Sequence, residues 1–337
     1  MIADDPSLRD VLRQLTNGFQ VSQAIHVAAT LGLADLLRDG PRSVEDLAAA
    51  TGTTEAALNR LLRALASIGI FAAVGGRFGQ TPLSTYLRAD VTGSMRAWAM
   101  RIGRPDHWRT WGELERSLRS GTSAFRELYG VTAWDWRAAH PEENAIFNAA
   151  MTGLSAGMVE SIVAAYDFSD VHSLVDVGGG EGTLLTAILA ANPAMRGINF
   201  DLPHVITGAK TVLEGAGVAD RCELMAGSFF ETIPAGADAY ILKSIIHDWD
   251  DAAALAILQR CRVAIPDRGR LLLVEHVLKP VNQPDPARFS DLNMLVMLGG
   301  QERDPDEFEH LCARAGFQLG AIIPTASTYS VIEARPI

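Results

Sequence analysis

The chain has 337 residues, of which 48% are hydrophobic and 20% are charged, a composition typical of globular domains and not of disordered or fibrous chains. Its formal net charge at pH 7 is −11, so it repels phosphate backbones and anionic lipid surfaces unless one face is locally basic. We therefore expect neither nucleic acid nor a membrane as a partner. The three cysteines, Cys222, Cys261 and Cys312, are scattered without a CxxC pair, which argues against a disulfide framework and a thiolate zinc site.

The start of the chain differs from a secretion signal. Residues 1–10 carry three aspartates where a signal peptide has a basic patch followed by an apolar core. The chain also has no run of about 18 uncharged apolar residues, the length that spans a bilayer. We expect a soluble, cytoplasmic protein without a membrane-spanning helix.

Residues 1–95 are predicted to form helices that end in a β-hairpin. Ser43 followed by Asp46 is typical of a helix start, and the short helix SVEDLAAA should stop at Gly52. A longer helix follows, with one apolar stripe at helical spacing. The stripe consists of Leu58, Leu61, Leu62, Leu65 and Ile68. Two short strand-like runs around a Gly-Gly pair predict a tight hairpin, which completes a winged-helix pattern.

A winged helix permits DNA binding, and the charge distribution tests that interpretation. Residues 1–100 hold nine arginines, no lysine and nine acidic residues, so this region is neutral. The second helix of the pattern offers only Arg60 and Arg63 as cations, whereas a groove-reading helix normally carries a clear basic footprint. We therefore expect this region to serve as a dimerisation domain or a lid, with a homodimer as the assembly.

Residues 96–165 are predicted to be linking helices rich in large side chains, and they contain five of the six tryptophans. Core packing explains most of these side chains, but a region between two domains is also where apolar small-molecule pockets form. We expect these helices to contribute to such a pocket. The large side chains are Trp98, Trp108, Trp111, Phe125, Trp134, Trp136, Phe147, Met151 and Met158.

From residue 166 onwards, short apolar strands alternate with helices. This alternation predicts an α/β fold with a mostly parallel, Rossmann-like sheet and helices on both faces. The expected strands are 173–180, 196–201, 222–227, 237–243 and 269–277, with two more over 318–324 and 329–336. The expected helices include one after the glycines at 178–182, one over 205–215, one over 252–265 and one capped by Asp304.

Ligands bind such sheets at the carboxyl ends of the strands, so those ends define the candidate site. The first strand runs into DVGGGEG, where Asp176 precedes Gly178, Gly180 and Gly182. Glycines there allow a sharp turn and a close approach of the backbone to a ligand beside a helix N-terminus. Position 183 is Thr and no GK[ST] follows, so the loop is neither a dinucleotide GxGxxG pattern nor a P-loop. A glycine-rich turn without a ligand is the simpler alternative.

Asp201 ends the second strand, 19 residues after Gly182, where a carboxylate accepts hydrogen bonds from both ribose hydroxyls. Capping of the next helix, which has Pro203 at its first position, is the alternative. Together with the glycine loop, Asp201 predicts a nucleoside-bearing cofactor without a pyrophosphate in preference to NAD.

A histidine and several carboxylates follow the later strands. His247 comes just after Lys243, which ends the fourth strand, and its ordinary pKa near 6.5 suits a general base. Glu275 at the end of the fifth strand and Glu302 in the loop GGQERD share its crevice by topology. The alternative is a divalent metal on the acidic run after His247, although adjacent acids on a turn point in different directions, and one of them is expected to cap the next helix. The acids of that run are Asp248, Asp250 and Asp251.

Five segments, in this order and spacing, resemble the S-adenosylmethionine-dependent O-methyltransferases similar to plant caffeic acid O-methyltransferase. The segments are VDVGGGEGTLL, FDLPHVI, KSIIHDWDD, VEHVLKP and GGQERD. HDW at this distance from the glycine loop is specific, whereas DVGGG alone is not. The bacterial branch of this family methylates phenolic and polyketide natural products. The resemblance covers nearly the whole chain and implies a winged-helix-like dimerisation domain (1–95), linking helices (96–165) and a class I methyltransferase catalytic domain (166–337).

The resemblance also implies roles for single residues. It makes His247 the catalytic base, flanked by Glu275 and Glu302, and places Asp201 on the ribose of S-adenosylmethionine and Lys243 near the adenine. The remaining cofactor contacts that it implies are Ser155, Asp176, Gly178, Gly180, Gly182, Ser228 and Phe229. The acceptor contacts that we expect are Phe147, Met151, Asp248 and Met294. Where the family usually has an acid that contacts the adenine amine, this chain has the neutral Ser228, which predicts weaker cofactor binding.

The predicted reaction is an in-line displacement on an aromatic or polyketide-type small molecule. The acceptor hydroxyl, expected to be phenolic, loses its proton to His247, and its oxygen attacks the sulfonium methyl. Glu275 and Glu302 hold the imidazole and stabilise its charged form, as the orienting acid of a triad does. Because the methyl starts on a cation, no metal is expected. The alternatives are an N-methyltransferase, a family outlier that hydroxylates or decarboxylates on the same scaffold, and a winged-helix transcription regulator.

Overall fold

The structure of the protein is a computed structural model that describes residues 6–337. The chain forms two compact units. The first unit comprises the chain up to Gly112 together with Trp134–Ala156, and the second comprises Glu113–Ala133 together with Gly157–Ile337. The chain therefore crosses from one unit to the other three times, and the domain boundaries expected at 95 and 165 stay predictions.

Helices dominate the first unit, and a seven-stranded sheet lies in the second. In chain order the helices are α1 Pro6–Thr16, α2 Gly18–Thr30, α3 Leu33–Leu36, α4 Val44–Thr51, α5 Glu55–Ser67, α6 Pro82–Thr85, α7 Arg96–Ile102, α8 Pro105–Gly112, α9 Leu114–Ser120, α10 Ala124–Tyr129, α11 Ala133–Ala139, α12 Pro141–Ser155, α13 Met158–Ala165, α14 Thr183–Ala191, α15 Pro203–Ile206, α16 Ala209–Gly215, α17 Asp251–Ala264, α18 Ala287–Met297 and α19 Pro305–Arg314. The strands are β1 Phe71–Val74, β2 Arg77–Gln80, β3 Ser173–Val177, β4 Arg196–Asp201, β5 Cys222–Ala226, β6 Ala239–Lys243, β7 Arg270–Glu275, β8 Phe317–Pro324 and β9 Ser330–Pro336.

Short-range signals set the first unit. The Ser43 hydroxyl accepts a hydrogen bond from the Asp46 amide and starts α4, and Gly52 ends it in the left-handed conformation. Leu58, Leu62 and Leu65 of the α5 stripe are buried and Leu61 is half-buried, whereas Ile68 lies just beyond the end of the helix and is exposed. Strands β1 and β2 pair antiparallel across two glycines with positive φ, the backbone that a two-residue hairpin turn requires. The predicted helices and hairpin are confirmed.

The sheet of the second unit has the strand order β5-β4-β3-β6-β7-β9-β8. Strands β3 to β7 pair in parallel, and β9 runs antiparallel to both β7 and β8. Alternate residues of β7 lie in two separate hydrophobic cores, one on each face of the sheet. Leu271 and Leu273 pack with α17 and α19, whereas Leu272 and Val274 pack with α13, α14 and α16. The predicted mostly parallel sheet with helices on both faces is confirmed.

Two features of the second unit differ from the sequence-based expectation. The single helix expected over 205–215 is two helices, α15 and α16, and the break falls at Thr207 and Gly208. Apart from proline, glycine has the lowest helix propensity, which accounts for the position of the break. Helix α18 was not expected at all.

Among residues 6–337, no single helix is both long and apolar enough to cross a membrane. The consecutive helices α12 and α13 meet the length and composition test only when they are taken together as a broken pair.

Candidate active site

The carboxyl ends of the parallel strands bring the predicted site residues of the second unit to one edge of the sheet. The glycine loop follows β3, Asp201 ends β4, Lys243 ends β6 and Glu275 ends β7. His247 lies on a single 3₁₀ turn, Ile246–Asp248, between β6 and α17. The expectation that these residues share one edge is confirmed by the topology.

The glycine loop has a backbone that residues with a Cβ adopt poorly. Gly178, Gly180 and Gly182 all have positive φ, between +58° and +78°. A Cβ on Gly178 would lie 2.5 Å from the Ile245 side chain, whereas a Cβ on Gly180 would meet nothing within 4 Å and would project into open space. The loop is therefore packed at Gly178 and leaves open space beside the backbone of Gly180, just before the N-terminus of α14.

Asp201 adjoins the glycine loop. One of its carboxylate oxygens accepts a hydrogen bond from the Gly180 amide at 2.8 Å, and the other accepts from the Leu202 amide at 2.6 Å. Burial raises the pKa of Asp201, and the two amide donors oppose that rise. An ionised carboxylate offers about four lone pairs. The two amides therefore leave acceptor capacity for a pair of neighbouring hydroxyls.

Asp176 lies beneath the loop and not at its surface. It is 2% exposed, and burial raises its pKa to about 7. Its Oδ2 atom and the Oδ1 atom of the neighbouring Asn199 have no hydrogen-bond partner among the described residues, and both crowd the position of a Cβ on Gly179. Direct contact of Asp176 with a cofactor stays a prediction. Burial lowers the pKa of Lys243, against the charges of Asp176 and Glu275.

Phe229 packs beside the glycine loop. Its ring lies 3.6 Å from the position of a Cβ on Gly178 and meets the ring of Trp249 edge to face, with centroids 6.2 Å apart. The Ser228 hydroxyl accepts a hydrogen bond from the Phe230 amide at 3.3 Å. The predicted roles of Ser228 and Phe229 at an adenine ring stay predictions.

His247 is surrounded by carboxylates. Its Nδ1 atom lies 2.9 Å from Glu275 Oε2 and 3.5 Å from Glu302 Oε2, and its Nε2 atom lies 3.4 Å from Asp248 Oδ1. His247 and Asp248 are each 9% exposed, and the two glutamates are more deeply buried. Glu275 is held in place because its second oxygen accepts hydrogen bonds from the Ile245 and Ile246 amides at 3.0 and 2.8 Å.

Two residues of α18 hold Glu302, and sequence reasoning missed both. The Ser290 hydroxyl donates to Glu302 Oε1 at 2.7 Å, and Asp291 accepts a hydrogen bond from the Glu302 amide at 3.0 Å. No sequence signal connects Ser290 and Asp291 with Glu302, because both residues lie on α18, the helix that was not expected. Sequence reasoning also missed Arg303, a buried residue that forms an ion pair with Asp251 close to His247. Its position next to Glu302 in the sequence was the one signal that could have found it.

The charges around His247 decide its protonation. Burial by itself lowers the pKa of His247, but the carboxylates of Glu275 and Asp248 outweigh burial and raise that pKa well above its usual value of 6.5. Contact with His247 outweighs burial in turn and lowers the pKa of Glu302. The cluster therefore favours the imidazolium form of His247, and His247 can accept a proton from a ligand only in its neutral form.

The acidic run after His247 serves structural roles at two of its three positions. Asp250 caps α17 by accepting a hydrogen bond from the Ala253 amide at 2.8 Å, and Asp251 forms an ion pair with Arg303 at 2.9 Å. Two of the three ligands of the alternative metal site thus have other partners. The potential ligand atoms of His247, Glu275 and Glu302 lie within 4.8 Å of one another, a spacing that suits either proton transfer or a metal ion.

The predicted acceptor contacts are divided between the two units. Met294 is a buried residue of α18 in the second unit, and Asp248 adjoins His247 as described above. Phe147 and Met151, together with the predicted cofactor residue Ser155, lie on α12 in the first unit. The roles of all five residues at a ligand stay predictions.

Two family models match the chain. One, described as an O-methyltransferase domain, matches residues 111–318, and the other, described as an O-methyltransferase dimerisation domain, matches residues 13–90. Together they span both units.

Curated relatives match over nearly their whole length. The chain is 44% identical to phenazine O-methyltransferase PhzM of Lysobacter antibioticus, over 98% of this chain and 97% of the relative. It is 38% identical to the mitomycin biosynthesis 6-O-methyltransferase of Streptomyces lavendulae, over 99% and 95%. It is also 34% identical to the 8-amino-8-demethylriboflavin N,N-dimethyltransferase of Streptomyces davaonensis, over 96% and 94%. Relatives of this similarity thus include both O- and N-methyltransferases.

Solved structures agree with these matches. The crystal structure of LaPhzM superposes with a TM-score of 0.94 at 44% identity and covers 98% of this chain and 99% of its own. Human N-acetylserotonin methyltransferase, solved in complex with SAM (S-adenosylmethionine), superposes with a TM-score of 0.89 at 29% identity, over 100% and 99%. The likeness extends across both units.

Proposed function

The chain belongs to the O-methyltransferase family, and from that premise we propose that it transfers a methyl group from S-adenosylmethionine to a phenolic hydroxyl of an aromatic or polyketide-type small molecule, with His247 as the general base. The contact of 2.9 Å between His247 Nδ1 and the buried Glu275 carries this proposal. No other described ionisable group at the sheet edge combines a ring nitrogen with two buried carboxylates in this way.

The glycine loop and Asp201 fit the cofactor. The open space above Gly180 admits a ligand against bare backbone, and Asp201 retains acceptor capacity for two ribose hydroxyls. Lys243 and Phe229 are further proposed binding residues on the second unit. S-adenosylmethionine, when bound, supplies a methyl group that is already activated by a sulfonium charge. For that reason we propose that the reaction needs no metal.

The carboxylates make His247 a strong base. Glu275 and Glu302 stabilise the imidazolium that forms when His247 takes the acceptor proton. The same charges raise the pKa of His247 above its usual value, so the neutral imidazole is a stronger base towards the acceptor proton. A cationic ligand bound near His247 opposes its protonation, because like charges repel.

A hydroxyl acceptor explains the cluster better than an amine acceptor does. A phenol is a weak nucleophile until its proton is removed, so a buried base at the acceptor accelerates the attack. A neutral aromatic amine attacks through its lone pair and loses its proton only afterwards. Burial of three carboxylates around one imidazole costs free energy, and proton removal from a hydroxyl explains why the site contains them.

We also propose that the protein is a homodimer. Helix α1 exposes an apolar stripe at helical spacing, formed by Leu8, Val11, Leu12 and Leu15, of which Leu15 is 74% exposed. The dimerisation family model begins within this helix, at residue 13. A second copy of the chain is the partner that would cover such a stripe in a symmetric assembly.

The test of the proposed function uses matched acceptors. Polycyclic phenols and amines that share one ring skeleton are incubated with the protein and S-adenosylmethionine, and methylated products are detected by mass spectrometry. We expect methylation of the phenols, loss of that activity in His247→Ala, and no effect of a chelator. Methylation of the amines alone would contradict the hydroxyl acceptor, and inactivation by the chelator would contradict metal independence.

A further inference from the structure

Arg303 is a buried cation whose hydrogen bonds all converge on the neighbourhood of His247. It is 1% exposed. Its guanidinium makes five hydrogen bonds, as many as it has N–H groups. Nη1 donates to the Ile246 carbonyl at 3.1 Å, and Nη2 donates to the Trp249 carbonyl at 3.1 Å. These two carbonyls flank His247 in the sequence, so the guanidinium spans the turn that carries the base.

The other bonds of Arg303 anchor that turn at its far end. Nε and Nη2 both donate to Asp251 Oδ1, at 3.2 and 2.9 Å, and Nη1 donates to the Gln301 carbonyl at 3.3 Å. Gln301 Nε2 donates to the same Asp251 oxygen at 2.8 Å. Asp251 is the first residue of α17, so Arg303 ties the His247 turn to the start of a long core helix.

The backbone around Arg303 connects the two glutamates to the same point. The Arg303 carbonyl accepts a hydrogen bond from the Leu278 amide at 3.0 Å, three residues after Glu275, and Glu302 precedes Arg303 directly. A Cβ on Gly300 would lie 2.1 Å from the His247 carbonyl oxygen, so the loop before Arg303 packs directly on the backbone of the turn. Arg303 is therefore where the segments that carry His247, Glu275 and Glu302 meet.

We propose that Arg303 is a positioning residue for methyl transfer. It holds the backbone of residues 246–251 so that His247 Nδ1 faces Glu275 and Glu302, while His247 Nε2 is directed away from these two glutamates. This inference rests on the proposed function, in which His247 is the base. Arg303 acts through the backbone and touches no reacting atom. Its planar fork is what lets one side chain serve acceptors on four residues at once.

The conservative variant Arg303→Lys separates geometry from charge. Lysine keeps the positive charge, but its ammonium donates from a single point and cannot reach four separate acceptors. A misplacement of about 1 Å at a reacting group costs on the order of 100-fold in rate. We therefore expect Arg303→Lys to lower kcat by about 10- to 100-fold, with the affinity for S-adenosylmethionine unchanged within about twofold by calorimetry. Arg262→Lys, the same substitution on a part-exposed arginine of α17, is the matched control and should leave kcat unchanged.

A double-mutant cycle shows whether Arg303 works through His247. In the His247→Ala background Arg303→Lys should change the residual kcat less than about twofold, since the base that it positions is gone. The same loss in both backgrounds would overturn the proposal, because Arg303 would then act on folding or on the cofactor. If Arg303→Lys does not fold, Asp251→Ala replaces it. The Asp251 side chain is 59% exposed, and its removal takes away the acceptor of two of the five hydrogen bonds that the Arg303 guanidinium makes.

A readout independent of turnover separates this inference from the proposed function. The ring signals of His247, assigned by comparison with His247→Ala, are followed by NMR in wild type, Arg303→Lys and Arg262→Lys. We expect a shifted signal and an altered titration only in Arg303→Lys. If His247→Ala keeps wild-type turnover, the base assignment fails, yet a shifted ring signal still supports positioning of His247 by Arg303. An unshifted signal overturns the inference whatever the turnover is.

Discussion

Substituting Glu302 by Gln removes one negative charge from beside His247 and keeps the shape of the side chain. Gln retains the oxygen that accepts the hydrogen bond from Ser290. Two unit charges 3.5 Å apart, the distance from Glu302 Oε2 to His247 Nδ1, interact by about 4.7 kcal/mol at an effective dielectric constant of about 20. Because a carboxylate shares its charge between two oxygens, about half of this, roughly 2 kcal/mol, acts at that distance.

The sign of the effect follows from the direction of the pKa shift. His247 acts as a base only when neutral, and its pKa is raised in the folded protein, so turnover rises as the pH rises through that pKa. Removal of a carboxylate that favours the imidazolium lowers the pKa and moves the rising limb to lower pH. Since one pH unit corresponds to about 1.4 kcal/mol, a loss of roughly 2 kcal/mol moves the limb by more than one unit.

The assay measures kcat from mildly acidic to alkaline pH with both substrates saturating, in wild type and in Glu302→Gln. We expect the limb of the variant at lower pH and its plateau below that of wild type, because orientation of the ring is partly lost. The plateau should lie above that of His247→Ala, which lacks the base itself. Glu309→Gln, the same charge change on an exposed part of α19, is the control. A limb that stays in place or moves to higher pH would refute the reasoning.

Three further predictions concern the base, the cofactor and the assembly. His247→Ala should lower kcat by about 10²- to 10⁴-fold, with unchanged affinity for S-adenosylmethionine by calorimetry and a residual rate that rises with pH, whereas wild-type turnover at neutral pH would contradict the base. Asp201→Ala should weaken S-adenosylmethionine binding by roughly 1.5–3 kcal/mol, and unchanged affinity or tight NAD binding in calorimetry would contradict the ribose contact. Light scattering should find twice the chain mass of 36.2 kDa for wild type and a monomer for Leu12→Glu with Leu15→Glu, and a monomeric wild type would end the dimer proposal.

Local signals in the sequence determined most of the fold. The cap at Ser43, the hairpin between β1 and β2 and the parallel strands all rest on residues within a few positions of one another, where side-chain chemistry and backbone preference act directly. Once the strands had been predicted, the residues at their carboxyl ends could be identified as candidate site residues. The glycine loop, Asp201, Lys243 and Glu275 could be brought to one edge without knowledge of any contact, because parallel strands end at the same edge.

Only the tertiary structure decided how these residues behave. Arg303 donates a hydrogen bond to Ile246, 57 positions away in the chain. Ser290 donates to Glu302 from α18, a helix that no hydrophobic periodicity predicted. The sequence suggested a histidine with an ordinary pKa, whereas the structure raises it. A pKa is the sum of burial and of every charge nearby, and both quantities depend on residues that are distant in the chain and come together only in the fold. Residue types and their order thus determined which groups are present at the site, and packing decided which of them carry charge and which are held still.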